Sequence, residues 1–298
     1  ERKGVGSPSR NIVKKISKNS LKIKCGAKIN ISLKILNKRK DGFHNISTVF
    51  QELDFGDDLD IKKSDNQCRF TSNAKWLRND KSNLCVLAWM KMKEHFPIIK
   101  GVEITLEKRI PPGAGLGGGS SNAAGVIKGL NSLYKLHLDE RQMKSVACSL
   151  GADVSFFIQG GTQQGEGIGD RLSILPYPVK GSVLLVIPDI HIDTSWAYGL
   201  LKNKLESVGK PPNFASFFQE NLFPEEIFKN DFEDIVFPAY PEIGKVKTVL
   251  VELGAVYASL SGSGSTVYGI FNDESAAVSA ETHFSSSYHT IVTFPANS

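Results

Sequence analysis

The run Pro111-Pro-Gly-Ala-Gly-Leu-Gly-Gly-Gly-Ser-Ser-Asn-Ala-Ala124 is the segment of the chain best suited to chemistry. Five glycines fall between Gly113 and Gly119. Without side chains in the way, their backbone amides can close on a phosphate. An amphipathic stretch follows directly, and a helix starting there adds unpaired N–H groups and a partial positive charge. Ser120 and Ser121 can donate to a phosphate or reach a bound Mg2+. No Gly-Lys-Ser/Thr closes the run, so it is not a Walker A loop. Gly113-x-Gly115-x-x-Gly118 formally fits a dinucleotide turn, with Asp139–Glu140 at about the distance of a ribose-binding acid. Arg109-Ile-Pro-Pro before it is a poor entry to such a turn, and the acidic pair caps a helix instead of ending a strand. A second glycine motif, Gly262-Ser-Gly-Ser265, lies between two strand-like runs.

These loops need elements to hold them. From Leu21 to Ile35 the odd positions are apolar and the even ones mostly polar, which is strand periodicity with Lys28 and Asn30 on the polar face. Gly26 marks a bend in so long a run. Further strands are expected at 46–50, 59–62, 102–108, 183–187 and 266–271. Helices are expected from Ser82 to before Pro97 with Leu84, Leu87 and Ala88 inward, and after the glycine run through Ala123, Ile127, Leu130 and Tyr134. Another opens at an Asp139–Gln142 capping box and stops at Gly151, and a late one spans Pro241 to Leu253. Asn203–Pro212 reads as a loop. Strands and helices alternate without a βαβ rhythm, which favours α+β over a doubly wound sheet.

Pro-x-Gly-x-Gly-Leu-Gly-Gly-Gly-Ser-Ser resembles the ATP loop of the GHMP kinases, and Gly262–Ser265 resembles their C-terminal glycine motif. The resemblance runs from about Leu21 to the C-terminus, with 200–240 least clear. Within the family, Ala27-Lys-Ile-Asn30, Lys38-Arg-Lys-Asp-Gly-Phe-His44, Gly151-Ala-Asp-Val154 and Gly160-Gly-Thr…Gly165-Glu-Gly167 are similar to the branch acting on a cytidine diphosphate-linked methylerythritol. The Gly-Glu-His type motif of the sugar and mevalonate kinases is absent.

The resemblance implies an ATP- and Mg2+-dependent small-molecule kinase of two domains. The first would be ribosomal-protein-S5-like and the second ferredoxin-like, after a basic tail: 1–20, 21–175 and 176–298. It implies Asp153 as general base and Lys28 as its electrostatic partner. Phosphoryl transfer needs a placed carboxylate for the hydroxyl proton, and an ammonium keeps that carboxylate ionised. It implies ATP contacts at Pro111, Pro112, Gly113, Ala114, Gly115, Leu116, Gly117, Gly118, Gly119, Ser120 and Ser121, with Asn83, Leu84 and Lys108 around the adenosine. Substrate contacts would be Asn30, Phe43, His44, Thr194 and Tyr198, with the cytosine stacked on Phe43, hydrogen-bonded by His44 and closed off by Tyr198. Phe43 departs from the commoner tyrosine, which keeps the stacking ring and loses the phenol. Taken alone, Asp153 would read as a helix cap, Lys28 and Lys108 as solvated charges, Leu84 as helix core and His44 as structural. No residue is assigned as a metal ligand.

Composition sets outer bounds. The chain has 298 residues, 41% hydrophobic and 22% charged, with net charge +5. Residues 1–27 carry eight Lys or Arg against Glu1, or +7, which leaves −2 for the remainder. The body is therefore no basic nucleic-acid surface. The tail reads as solvated, with some likeness to an organelle-targeting segment. No run reaches the ~18 apolar residues of a membrane span. Cys25, Cys68, Cys85 and Cys148 lack Cys-x-x-Cys spacing and read as reduced thiols without a structural metal. The expected setting is a bacterial cytoplasm or a plastid-like organelle, as a monomer or weak homodimer, with no nucleic-acid or membrane partner. Three alternatives stand beside the kinase: a metabolite sensor on the same fold, a nicotinamide oxidoreductase, and a nucleic-acid binder using the tail.

Overall fold

The computed structural model describes residues 13–65, 67–201 and 214–296. In chain order the elements are β1 (Lys14–Ser17), β2 (Ser20–Lys38), β3 (His44–Ser64), β4 (Cys68–Ser72), α1 (Leu84–His95), β5 (Gly101–Glu107), α2 (Gly118–Tyr134), α3 (Glu140–Cys148), α4 (Ala152–Gln159), β6 (Thr162–Gly167) and β7 (Arg171–Ile174). There follow β8 (Ser182–Ile187), α5 (Thr194–Gly199), α6 (Phe214–Glu220), α7 (Glu233–Ala239), α8 (Pro241–Glu252), β9 (Tyr257–Leu260), β10 (Val267–Phe271), α9 (Glu274–Phe284) and β11 (His289–Thr293).

The alternation in β2 does more than build one sheet face. Leu21, Ile23 and Cys25 enter a core shared with α1, α2 and α4. Ala27, Ile29 and Ile31 enter a second core against β8 and β10, and Leu33 and Ile35 a third against α7 and α8. Irregular pairing with β3 between Gly26 and Lys28, and between Asn30 and Ser32, divides the strand at about these points. Each fully buried aliphatic side chain contributes about 1.5–3 kcal/mol, so one strand fastens both halves of the molecule. The face expected to be polar is buried as well: Lys28, Asn30 and Ser32 are all covered.

Two sheets result. The seven-stranded one runs β1-β2-β3-β5-β4, with β6 on the first half of β3 and β7 on β6. The four-stranded one runs β11-β8-β10-β9 and is antiparallel throughout. The architecture is α+β. The chain leaves the first sheet at Ile174 and enters the second at Ser182.

Several expectations change. The runs at 46–50 and 59–62 are two halves of the single strand β3. Lys14–Ser17 is a strand hydrogen-bonded to β2, so the inner end of the expected tail is ordered secondary structure. Residues 1–12 and the expected loop at Asn203–Pro212 lie outside the described residues. Gly151 does not end α3, which stops at Cys148; it is the N-cap of α4, a helix the apolar periodicity does not reveal. Among the described residues, no helix is long and apolar enough to cross a membrane.

Candidate active site

The chain leaves β5 at Glu107 and crosses Lys108–Pro112 into the glycine run, and α2 begins at Gly118. No side chain caps α2, which leaves its first amides available to an anion. The loop is gripped from both halves of the molecule. Lys28 N–H donates to Leu116 O at 2.9 Å. Ser261 Oγ donates to Gly115 O at 2.9 Å, and Thr266 N–H lies 3.4 Å from Ala114 O. Gly115 has φ +75°, and a Cβ there would collide with the Ser261 carbonyl.

A cavity of about 370 Å³ opens before this helix end. Pro111, Pro112, Gly113, Ala114, Gly115, Leu116, Gly117, Gly118, Gly119 and Ser120 line it, as do Asn83, Leu84 and Lys108. Ser121 is buried in the first turn of α2 and does not line it. Asn83 is committed to capping α1: its Oδ1 accepts from Cys85 N–H at 2.9 Å and its Nδ2 donates to Arg78 O. Leu84 is half-buried, packed against the first core while also lining the cavity. Lys108 is no solvated charge, since its ammonium pairs with fully buried Asp57 at 2.5 Å.

Beyond the loop lies the Lys28–Asp153 pair. Asp153 sits in the first turn of α4 with its side chain 37% exposed, 3.7 Å from the ammonium of Lys28. At that separation the two attract without a direct hydrogen bond. Lys28 instead donates to Asn30 Oδ1 at 2.6 Å. Asn30 Nδ2 donates to Thr48 Oγ1 at 2.8 Å, and Thr48 Oγ1 donates to Ser32 O. This chain fixes the amide so that its oxygen faces the lysine. Burial pushes the Lys28 pKa below the ordinary lysine value, and the Asp153 charge opposes that shift.

On the far side is a cavity of about 720 Å³ lined by Phe43, His44, Gly151, Thr194 and Tyr198 among others. The rings of His44 and Tyr198 stack directly, with centroids 5.1 Å apart and planes 21° from parallel. Phe43 and Tyr198, the expected pair of platforms, both line this cavity, with Phe43 59% exposed. Burial, and secondarily Lys38, lower the His44 pKa, which leaves the ring neutral at pH 7. Burial, then the Asp153 charge, push the Tyr198 phenol up to about 12. Thr194 Oγ1 lies 2.9 Å from Ser263 Oγ, which joins α5 to the second glycine turn.

A smaller cavity holding Lys28, Asn30 and Asp153 connects the two. It shares Gly115 and Gly117 with the first and Ile168, Thr194 and Tyr198 with the second. The expected residues other than Ser121 thus fall along one cleft. Sequence reading missed Asp57, Trp76 and Thr48. Asp57 had a signal, because it is in phase with the buried Leu59 and Ile61 of β3. Trp76, an exposed aromatic on the nucleotide-side cavity, precedes α1 in a stretch without periodicity.

A phosphate loop over a helix end and a buried lysine beside a half-exposed aspartate, set between two cavities, define a small-molecule kinase that uses ATP. Family models described as GHMP kinases N terminal domain and GHMP kinases C terminal match residues 83–161 and 204–290. The chain belongs to the GHMP kinase family. A Chlorobium phaeovibrioides relative named 4-diphosphocytidyl-2-C-methyl-D-erythritol kinase is 41% identical over 267 residues, 87% of this chain and 90% of that protein. A Bacteroides thetaiotaomicron relative of the same name is 40% identical over 83% of this chain and 91% of its own length. A crystal structure titled 4-(cytidine 5'-diphospho)-2C-methyl-D-erythritol kinase superposes with TM-score 0.80 at 28% identity, covering 91% of this chain and 98% of that one. Homoserine kinase from Cytophaga hutchinsonii shares the fold, with TM-score 0.72 at 19% identity over 96% of this chain and 98% of that one.

Proposed function

We propose that the chain transfers the terminal phosphoryl group of ATP to the 2-hydroxyl of 4-diphosphocytidyl-2-C-methyl-D-erythritol, releasing ADP and the 2-phosphate in the non-mevalonate isoprenoid pathway. The carrying observation is the continuous cleft, with Lys28 and Asp153 between a cavity on the glycine loop and one containing His44 and Tyr198. The names of the relatives support the choice of acceptor.

In this reading the loop amides and the N-terminus of α2 hold the ATP phosphates. Leu84 and Trp76 border the adenosine, and Lys108 supplies charge at the helix end. Asp153 accepts the proton of the attacking hydroxyl. Lys28, held by Asn30, stabilises the negative charge that develops on that oxygen. The protein has no covalent step to perform, and rate comes from placement and charge. Among the described residues there is no group of three His, Cys, Asp or Glu able to hold a metal. Mg2+ would arrive on the nucleotide phosphates and keep several waters. Ser120 at the helix start would be its protein oxygen, and the ion would supply charge neutralisation on the phosphates.

For the acceptor, neutral His44 can donate and accept along a cytosine edge, and Tyr198 offers a ring face to the base. Phe43, on the same cavity, offers the second ring face. Ser121, buried away from the cavity, would act through its place in the helix. We further propose three segments, at 1–20, 21–175 and 176–298, in a protein active as a monomer or weak dimer in a cytoplasm or plastid-like compartment.

The test is ADP release with ATP, Mg2+ and the cytidyl acceptor, beside mevalonate, homoserine and galactose. Turnover confined to the cytidyl acceptor and lost in Asp153→Ala is the expected result. Turnover on another acceptor, or undiminished turnover in the variant, would overturn the assignment.

A further inference from the structure

Asp57 is a carboxylate with no exposure to solvent. A buried charge is tolerable when its lone pairs are all bonded, and here they are bonded with a pattern. Oδ1 accepts from Arg109 N–H at 2.6 Å and Ile110 N–H at 2.8 Å, the last residues before the phosphate loop. Oδ2 accepts from the Lys108 ammonium at 2.5 Å and from Asn122 Nδ2 at 2.8 Å, in the first turns of α2 just after the loop. One side chain therefore bonds to the chain on both sides of residues 111–117. Lys108 Nζ also stands 2.7 Å from where a Cβ on Gly118 would be, so the paired ammonium lies at the helix end itself.

We propose that Asp57 is the positioning residue of the phosphate loop, stapling its entry to its exit and fixing Lys108 at the helix N-terminus, so that nucleotide affinity depends on it without direct contact. This rests on the reading that the loop takes the ATP phosphates. Both carboxylate oxygens accept from two donors each. Asparagine is nearly isosteric, but its amide nitrogen would point N–H groups at donors.

The experiment titrates a fluorescent ADP analogue against the wild type, Asp57→Asn, Asn122→Ala and the double variant, alongside steady-state kinetics and melting curves. Asp57→Asn should weaken analogue binding and raise KM for ATP by about tenfold or more, the cost of disturbed charge-assisted bonds. Asn122→Ala should weaken them about threefold, and the double variant should match Asp57→Asn because the staple is one unit. KM for the acceptor should stay within twofold. A purely structural role gives another signature: lower melting temperature and active fraction with both KM values unchanged. That outcome, or analogue binding by Asp57→Asn equal to wild type, overturns the proposal. Should Asp57→Asn not fold, unchanged nucleotide affinity in Asn122→Ala overturns it alone. Wild type that binds the analogue yet phosphorylates no tested acceptor refutes the acceptor assignment and leaves the staple standing. Wild type without nucleotide affinity refutes the loop reading and the staple with it.

Discussion

Gly115→Ala tests the phosphate loop through a single methyl group. Gly115 holds φ +75°, and the Cβ it lacks would run into the carbonyl oxygen of Ser261, with the Gly264 carbonyl 3.1 Å away. Alanine in left-handed backbone costs about 1–2 kcal/mol. Relief of the collision requires the loop to withdraw from the second glycine turn by more than about 1 Å to restore ordinary contact. Both obstacles are backbone atoms, so no side chain can rotate out of the way. A displacement of about 1 Å at a reacting centre costs ~10²-fold in rate, or about 2.7 kcal/mol. We expect kcat/KM in a coupled ADP-release assay to fall about 10²-fold, with weaker ADP binding by calorimetry. Gly254→Ala is the control. Gly254 has φ +95° with nothing within 4 Å of its missing Cβ, so that variant carries backbone strain and no collision. It should lower the melting temperature by about 2–4 °C with kinetics unchanged. Gly115→Ala kinetics within threefold of wild type, or an activity loss equally large in Gly254→Ala, would refute the reasoning.

Lys28→Met should lower kcat by about 10²–10⁴-fold without lowering stability at pH 7, since it removes a buried ammonium. Because burial holds the Lys28 pKa below 10.5, the unfolded chain binds more protons in the interval up to that value. Wild-type stability therefore rises with pH there, and the variant should lose that slope in pH-dependent denaturation. By the same sign, wild-type activity should decline on the alkaline side at a pH below the ordinary lysine value. The His44 pKa is lowered from 6.5 by burial and Lys38, so KM for the acceptor should rise as acid protonates the ring, while KM for ATP stays flat. His44→Ala should raise acceptor KM about tenfold and abolish that pH dependence. Tyr268→Phe removes the phenol that donates to Asn30 O at 2.8 Å; it should cost about 1–3 kcal/mol of stability, read by denaturant titration, with a melting transition that stays cooperative.

The sequence displayed the ligand-facing parts of this protein better than their supports. The glycine loop, its helix and the capping box at Asp139 are local signals, and each forms where its residues demand. The β2 alternation was equally plain, yet it could not say that the opposite face is roofed over. That covering comes from residues far along the chain, and it turns Lys28 from a surface charge into a buried one. Strands such as Thr162–Gly167 stayed hidden because Thr-Gln-Gln-Gly-Glu-Gly has no apolar rhythm. The stack of His44 on Tyr198 joins residues about 150 positions apart, and no local pattern announces it. Asn83 shows the converse: a residue whose position suggested ligand contact spends both ends of its amide on the backbone of its own helix start.

The second half of the molecule acts on the Lys28–Asp153 pair through backbone. Tyr268 donates to Asn30 O, and the single Tyr257 hydroxyl is shared between Ile31 O and Phe228 O. Leu33 exchanges backbone bonds with Lys229 and Asp231, and the Asp231 carboxylate accepts from Ile35 N–H. Asn230 donates to the carbonyls of Leu260 and Gly262 and so braces the turn that meets Gly115. The stretch of β2 from Asn30 to Ile35 is thus held by hydrogen bonds from elements more than 190 residues later in the chain. A buried ammonium 3.7 Å from its carboxylate tolerates little play, because Coulomb attraction in a poorly screened setting changes steeply with separation. Hydrogen bonds from the second half, mostly from its side chains to the β2 main chain, keep the Lys28–Asp153 spacing. Exchange of acceptor-binding loops between such kinases should therefore preserve catalysis where the β2 backbone bonds are kept and lose it where they are not, whatever residues line the acceptor cavity.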